Sequence, residues 1–183
     1  MMLSQPNRRT TGNISLLYNT LMLSAVHGTT GAFIASLCPG QPWLYLPSAV
    51  ALHYLEDAIP HWDLGTGMRR ASRHRVLITA GLEVFDLLAM FLIIFFLFQK
   101  SWPTTWAEIN WPVWIGALGG ILPDLLESPS SFFHVKLKPL APFMKLHAKA
   151  HSSLALPLYG LLPQLLILIS IAYLALTYPT FPL

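Results

Sequence analysis

His53-Tyr-Leu-Glu-Asp-Ala-Ile-Pro-His-Trp-Asp63 gathers five ionisable or metal-capable side chains at the end of an otherwise apolar segment. With residues 49–59 helical, His53 and Asp57 stand one turn apart on one face, with Glu56 beside them. Pro60 has no N–H and drives Ile59 out of the helical region. A helix end is therefore predicted there, with His61 and Asp63 in a loop able to fold back over the same face.

Around this stretch the chain is 54% hydrophobic and 10% charged, against about 25% charge in a soluble domain. That balance predicts a single all-α, integral membrane domain over residues 1–183, a bundle of about five transmembrane helices. The apolar segments are residues 14–37, 43–59, 76–98, 111–126 and 153–178, at or near the roughly 20 residues a bilayer demands. Residues 128–150 mix Phe, Leu and Lys and read as an interfacial segment before the last span, broken at Pro139 and Pro142. The amino terminus has no short apolar core followed by a small-residue cleavage site, so the first apolar segment reads as retained.

Five spans place Arg8, Arg9, Arg69, Arg70, Arg73, Arg75, Lys136, Lys138, Lys145 and Lys149 on one side, with Lys100 alone on the other. By the positive-inside rule the amino terminus is cytoplasmic and the carboxyl terminus outside. The basic residues follow topology rather than one folded face, so nucleic acid is not an expected partner. Membrane lipids are.

The same topology brings the His53–Asp63 stretch, Asp124, Glu127, His147 and His151 to the cytoplasmic ends of their helices, with His27 and Asp86 deeper as a floor. An ionised carboxylate inside a bilayer costs about 2.5–3.5 kcal/mol at mid-helix, so Glu83, Asp86, Asp124 and Asp57 call for partners. One reading leaves these acids protonated or hydrogen-bonded to neighbours. The other uses His53/Asp57 and His147/His151, both spaced i,i+4, to converge on a cation. The single Cys38 excludes a cysteine-based site, so a metal would be held by imidazoles and carboxylates. The expected ligand set is His27, His53, Asp57, His61, Asp63, Asp86, Asp124, His147 and His151, for one or two divalent ions, zinc first. Glu56 and Glu127 are spare acids, either solvated helix ends or a general base toward water. The arginines of residues 69–75 read as a topology anchor beside anionic lipid, or, through Arg73 and Arg75, as a clamp for a phosphate-bearing substrate. Gly28 and Gly31 suit close helix packing, and Gln164 suits a hydrogen bond between helices.

His27-x-x-x-Gly31, His53-x-x-x-Asp57-x-x-Pro60-His61-x-Asp63, Leu122-Pro123-Asp124 and His147-x-x-x-His151-Ser152 resemble the YdjM-like group of small bacterial and archaeal membrane-bound metal-dependent hydrolases. The group's Arg-Gly-x-Thr-His-Ser pattern after the second span is replaced here by Met68-Arg-Arg-Ala-Ser-Arg-His-Arg75. The resemblance implies a hydrolase. The full expectation is metal-dependent hydrolysis of an ester or phosphoester in a lipid-like substrate, from a site at the cytoplasmic side of a bacterial or archaeal inner membrane. A metal or proton transporter and a non-catalytic membrane scaffold are the alternatives. Oligomeric state is not legible.

Overall fold

The structure, a computed structural model, describes residues 23–61, 72–133, 135, 138–150, 152 and 157–177. Those residues are helical almost throughout: α1 (Ser24–Leu37), α2 (Pro42–Ala58), α3 (Arg73–Ile94), α4 (Trp111–Phe133), α5 (Ala141–Ala150) and α6 (Pro157–Thr177). The all-α expectation holds. Arg73–Gln99 and Leu158–Thr177 are long and apolar enough to cross a membrane, with mean hydropathies of 2.4 and 2.0. Residues 14–22 of the expected first span, with Asp63, Arg69, Arg70, His134 and His151, lie outside the described residues.

Helix α1 is the axis of the bundle, packed by α2, α3, α4 and α6. Every residue from Ser24 to Ala32 is buried, and all but Val26 and His27 are small. Small side chains let backbones approach. A Cβ added at Gly31 would strike the Gly116 carbonyl, one at Gly116 the Gly31 carbonyl, and one at Gly120 the His27 carbonyl. The α1–α4 crossing is thus made by Gly116-x-x-x-Gly120 against His27-x-x-x-Gly31, a small-residue interface of the type that joins helices in lipid. Beyond it Ala32, Ile94, Phe98, Val113, Ala117 and Ile171 form the apolar core.

Helix α2 ends as expected: Ile59 is extended at φ −72°, ψ 128°, next to Pro60. Helix α4 does not. It was expected to stop at residue 126 and instead runs to Phe133, through Pro123 and Pro129. Each proline removes one helical hydrogen bond and presses on the carbonyl four residues back. Packing against α1 and α2 holds the helix together across the first of these turns. In the interfacial segment, Lys138–Leu140 is a 3-10 turn, and Pro142 lies in the first turn of α5 instead of breaking it, where its missing N–H would have had no helical partner.

At the other end, α3 widens into a π-turn over Phe95–Gln99, closed by Lys100 at φ 63°. The widening turns Gln99 inward, where it donates to the Glu108 carbonyl (2.8 Å) and accepts from the Asn110 N–H (2.9 Å) and Trp114 Nε1 (3.2 Å). Trp102 and Trp106 are exposed beside this plug, as interface anchors would be.

Gly31→Ala should lower the unfolding midpoint in detergent, because its methyl meets backbone that cannot step aside; overpacking of this kind costs about 1–3 kcal/mol. Gly81→Ala, on the open face of α3 with nothing within 4 Å, should hold or raise it, since alanine is favoured over glycine in a helix by up to about 1 kcal/mol. Equal midpoints for the two variants would remove the close-crossing account.

Candidate metal centre

On α2 the buried residues Tyr45, Ala49, His53, Glu56 and Asp57 recur at intervals of three and four, the spacing of one helical face. That face meets His27 of α1, Asp124 and Glu127 of α4, and His147 of α5. The residues come from four separate helices. His27 is 1% exposed, His53 0% and Asp57 1%.

Three imidazoles are held in the same way. His27 Nδ1 lies 2.6 Å from Glu56 Oε2, His53 Nδ1 2.8 Å from the Gly120 carbonyl oxygen, and His147 Nδ1 2.8 Å from Glu127 Oε2. Each of these acceptors fixes the proton on Nδ1 and leaves the Nε2 lone pair facing inward, the arrangement found behind metal-bound histidines. Glu56 is itself anchored, accepting from the Thr30 hydroxyl through its other oxygen.

The inward atoms crowd around Asp57. Its Oδ2 is 2.7 Å from His147 Nε2 and 3.3 Å from His53 Nε2, and its Oδ1 is 3.3 Å from His27 Nε2. His53 Nε2 and His147 Nε2 are 3.3 Å apart, and Asp124 Oδ1 lies 3.7 and 3.5 Å from them. Ligand atoms about 2.0–2.1 Å from a tetrahedral ion stand about 3.3–3.4 Å from one another. Four of the five measured separations among His53, Asp57 Oδ2, Asp124 and His147 fall within a few tenths of an ångström of that spacing. Two groups, His53–Asp57–His147 and His27–His53–Asp124, meet the geometry for holding a metal and share His53.

Directed hydrogen bonds leave two of these atoms unsatisfied. His27 Nε2 and Asp57 Oδ2 are fully buried, and neither makes a properly directed hydrogen bond despite the short contacts. Leaving a buried donor or acceptor unsatisfied costs about 1–3 kcal/mol. A cation held by His53, Asp57 and His147 would satisfy Asp57 Oδ2, and one held by His27, His53 and Asp124 would satisfy His27 Nε2, so the residues present fit one or two divalent ions. The electrostatics agree at α5: burial disfavours the charged imidazole of His147, but the Asp57 and Glu127 carboxylates outweigh it and raise its pKa to about 10. The site demands positive charge.

Of the expected ligands, His27, His53, Asp57, Asp124 and His147 come together. Asp86 does not. It is buried on α3 with Oδ2 accepting from the Ala25 N–H (3.3 Å), while neighbouring Glu83 accepts from the Ser24 hydroxyl (2.6 Å). Both acids serve the first turn of α1, whose N–H groups have no helical partner and carry partial positive charge. His61 is buried beside the site but turns Nδ1 to the Ile59 carbonyl (2.7 Å), and its backbone N–H binds the Ser152 carbonyl, as Ser152 N–H binds that of Asp57. The loop after α2 is thereby tied to the segment after α5. Glu56 was expected as a general base. With both oxygens engaged by His27 and Thr30, it positions an imidazole instead. Arg73 and Arg75 lie in the first turn of α3, opened by the Ser72 cap. Gln164 joins helices as expected, accepting from the Leu23 N–H (2.9 Å) and donating to the Gly160 carbonyl (2.9 Å).

Sequence reading missed three contributors: the Gly120 carbonyl, Thr30 and Tyr54. Thr30, at i+3 from His27, was visible as spacing. The carbonyl had no side-chain signal. The Tyr54 ring stands edge-on to His53 (5.6 Å) and His147 (6.0 Å) and walls the site.

Comparison with protein-family models, curated proteins and solved structures returns no match for this chain.

Purified protein loaded with zinc should retain at least one equivalent by elemental analysis, and His53→Ala and Asp57→Ala should abolish retention. Glu56→Gln should weaken zinc binding by about 10–100-fold, the usual effect of losing a partner behind a ligand. Asp86→Asn should leave zinc affinity unchanged; loss of zinc in that variant would return Asp86 to the ligand set.

Proposed function

We propose that the chain is a membrane-embedded, divalent-metal-dependent hydrolase acting on an ester or phosphoester of a lipid-like substrate. The observation that carries this reading is the set of three imidazoles, each held at Nδ1, with their Nε2 atoms gathered on the buried Asp57 carboxylate. His53, Asp57 and His147, with Asp124, would hold the ion, and zinc suits a donor set of imidazole and carboxylate. The resemblance to the YdjM-like group is in keeping with it.

A divalent ion bound there supplies Lewis acidity toward an ester carbonyl or phosphoryl oxygen and acidifies a water molecule. The chain's own residues do the rest. Glu56, the Gly120 carbonyl and Glu127 fix the imidazole tautomers, so the Nε2 lone pairs need no rearrangement during reaction. Burial of His27, His53 and Asp57 excludes bulk water and strengthens every interaction inside. The Asp124 and Glu127 side chains, 34% and 29% exposed, mark the mouth, where Glu127, besides holding His147 Nδ1, would take a proton from an incoming water. Leu122 and Leu125 on α4 and Leu55 on α2 are exposed near it, which favours an amphiphile arriving from the bilayer.

The membrane reading takes α1, α2 and α4 as further spans beside α3 and α6, with the amino terminus cytoplasmic. Exposed Leu44, Leu55, Ile115 and Leu118 would face lipid. A transporter built on the same ligands needs a route to the opposite side. The α1–α4 backbone contact and the Gln99 plug fill that half, which favours hydrolysis.

Zinc-loaded protein in lipid vesicles should turn over a member of a panel of lipid esters and phosphoesters. His53→Ala should be inactive, and Glu127→Gln should lose kcat by about 10²–10⁴-fold, the usual contribution of a general base, while its zinc content under saturating metal is kept. Stoichiometric zinc with no turnover across the panel, together with zinc flux into sealed vesicles, would replace the hydrolase reading with the transporter.

A further inference from the structure

Helix α5 is ten residues long, and its only buried residue is His147. Isolated helices shorter than about 12–15 residues are marginal, and helices in proteins are normally stabilised by packing an apolar face. Here no apolar side chain of the helix is buried. It touches α2 and α4, with Met144 half-buried and the His147 imidazole held by Asp57 and Glu127.

The remaining faces sort cleanly. At 100° per residue, Lys145 and Lys149 project about 160° from His147, and both are exposed. Between them and His147, on one flank, come Phe143 and Leu146, 57% and 52% exposed. Lys138, in the preceding 3-10 turn, is also exposed. An apolar flank beside a basic ridge is the pattern of a helix lying in the plane of a bilayer surface, with rings and leucines among acyl chains and ammonium groups among anionic head groups. The apolar flank is continuous in kind with the exposed leucines of α4 at the site mouth.

We infer that α5 is an anionic-lipid-binding helix and that the leaflet it rests on sets the metal affinity of the centre, because the same helix delivers His147. The inference rests on the membrane and metal readings above. The lipid covers Phe143 and Leu146, which the described residues leave exposed, and head-group charge holds the basic ridge. Together they keep His147 Nε2 on Asp57. Removing the leaflet frees the helix, and the centre then loses one of its three imidazoles.

The test uses the full chain in nanodiscs of phosphatidylcholine, with and without phosphatidylglycerol. Zinc affinity is read by competition with a chromophoric chelator, and trypsin cleavage after Lys145 and Lys149 reports on the helix. Phosphatidylglycerol should tighten zinc binding by up to about 30-fold, in line with about 1 kcal/mol from each of Lys145 and Lys149 at an anionic surface, and should protect both lysines. Lys145→Gln with Lys149→Gln should erase the lipid dependence, and Phe143→Ser with Leu146→Ser should weaken zinc binding in either lipid. Equal wild-type zinc affinity in the two lipids would overturn the inference and leave the metal centre standing. So would cross-linking that shows a second copy of the chain covering Phe143 and Leu146. No zinc binding in either lipid would overturn the metal reading and the coupling together.

Discussion

A carboxylate with almost no exposure, approached by three imidazoles, is the constraint on which the rest of the molecule depends. Asp57 Oδ2 lies 2.7 Å from His147 and 3.3 Å from His53, and Oδ1 lies 3.3 Å from His27. A charge buried to this degree is tolerated only when it is paired. The pairing therefore dictates where α1, α2 and α5 come together. It also orders the connections, since the Asp57 carbonyl receives the Ser152 N–H and the Ser152 carbonyl receives that of His61. Two segments more than ninety residues apart in sequence are thereby joined beside the same carboxylate.

The glycine crossing of α1 and α4 is the second half of that constraint. Lipid-soluble helices gain little from burying leucine against leucine, because acyl chains are as apolar as the core. Close backbone contact at Gly31, Gly116 and Gly120 gives dispersion and shape in its place. It brings the Gly120 carbonyl within reach of His53 Nδ1 at 2.8 Å.

Much of the site was legible because its signal is local. His53 and Asp57 at i,i+4, the helix stop before Pro60 and the small residues around Gly31 all follow from side-chain geometry within a turn or two. The split among the acids on apolar helices was not legible. Asp57 and Asp86 looked alike in sequence, each an acid on an apolar helix. What separates them is that Asp86 meets the first turn of a neighbouring helix, whose open N–H groups satisfy a carboxylate without any cation. That distinction depends on where α1 begins relative to α3, and no spacing within α3 encodes it. The roles of Glu56 and Glu127 were hidden for the same reason. Only the fold shows that each reaches an Nδ1 rather than open solvent.

The division of labour among the acids bears on what the centre can do. Four carboxylates, Glu56, Asp57, Asp124 and Glu127, surround three imidazoles. Two of the acids, Glu56 and Glu127, spend an oxygen on Nδ1, which raises the donor strength of the ring at Nε2. Asp57 spans the imidazoles with both oxygens, whereas Asp124, a third exposed, stands at the outer edge with the longest separations of the set. Among the described residues the cluster is buried at His27, His53 and Asp57 and partly exposed at Asp124 and Glu127. That exposed side borders α5, whose one buried residue is His147.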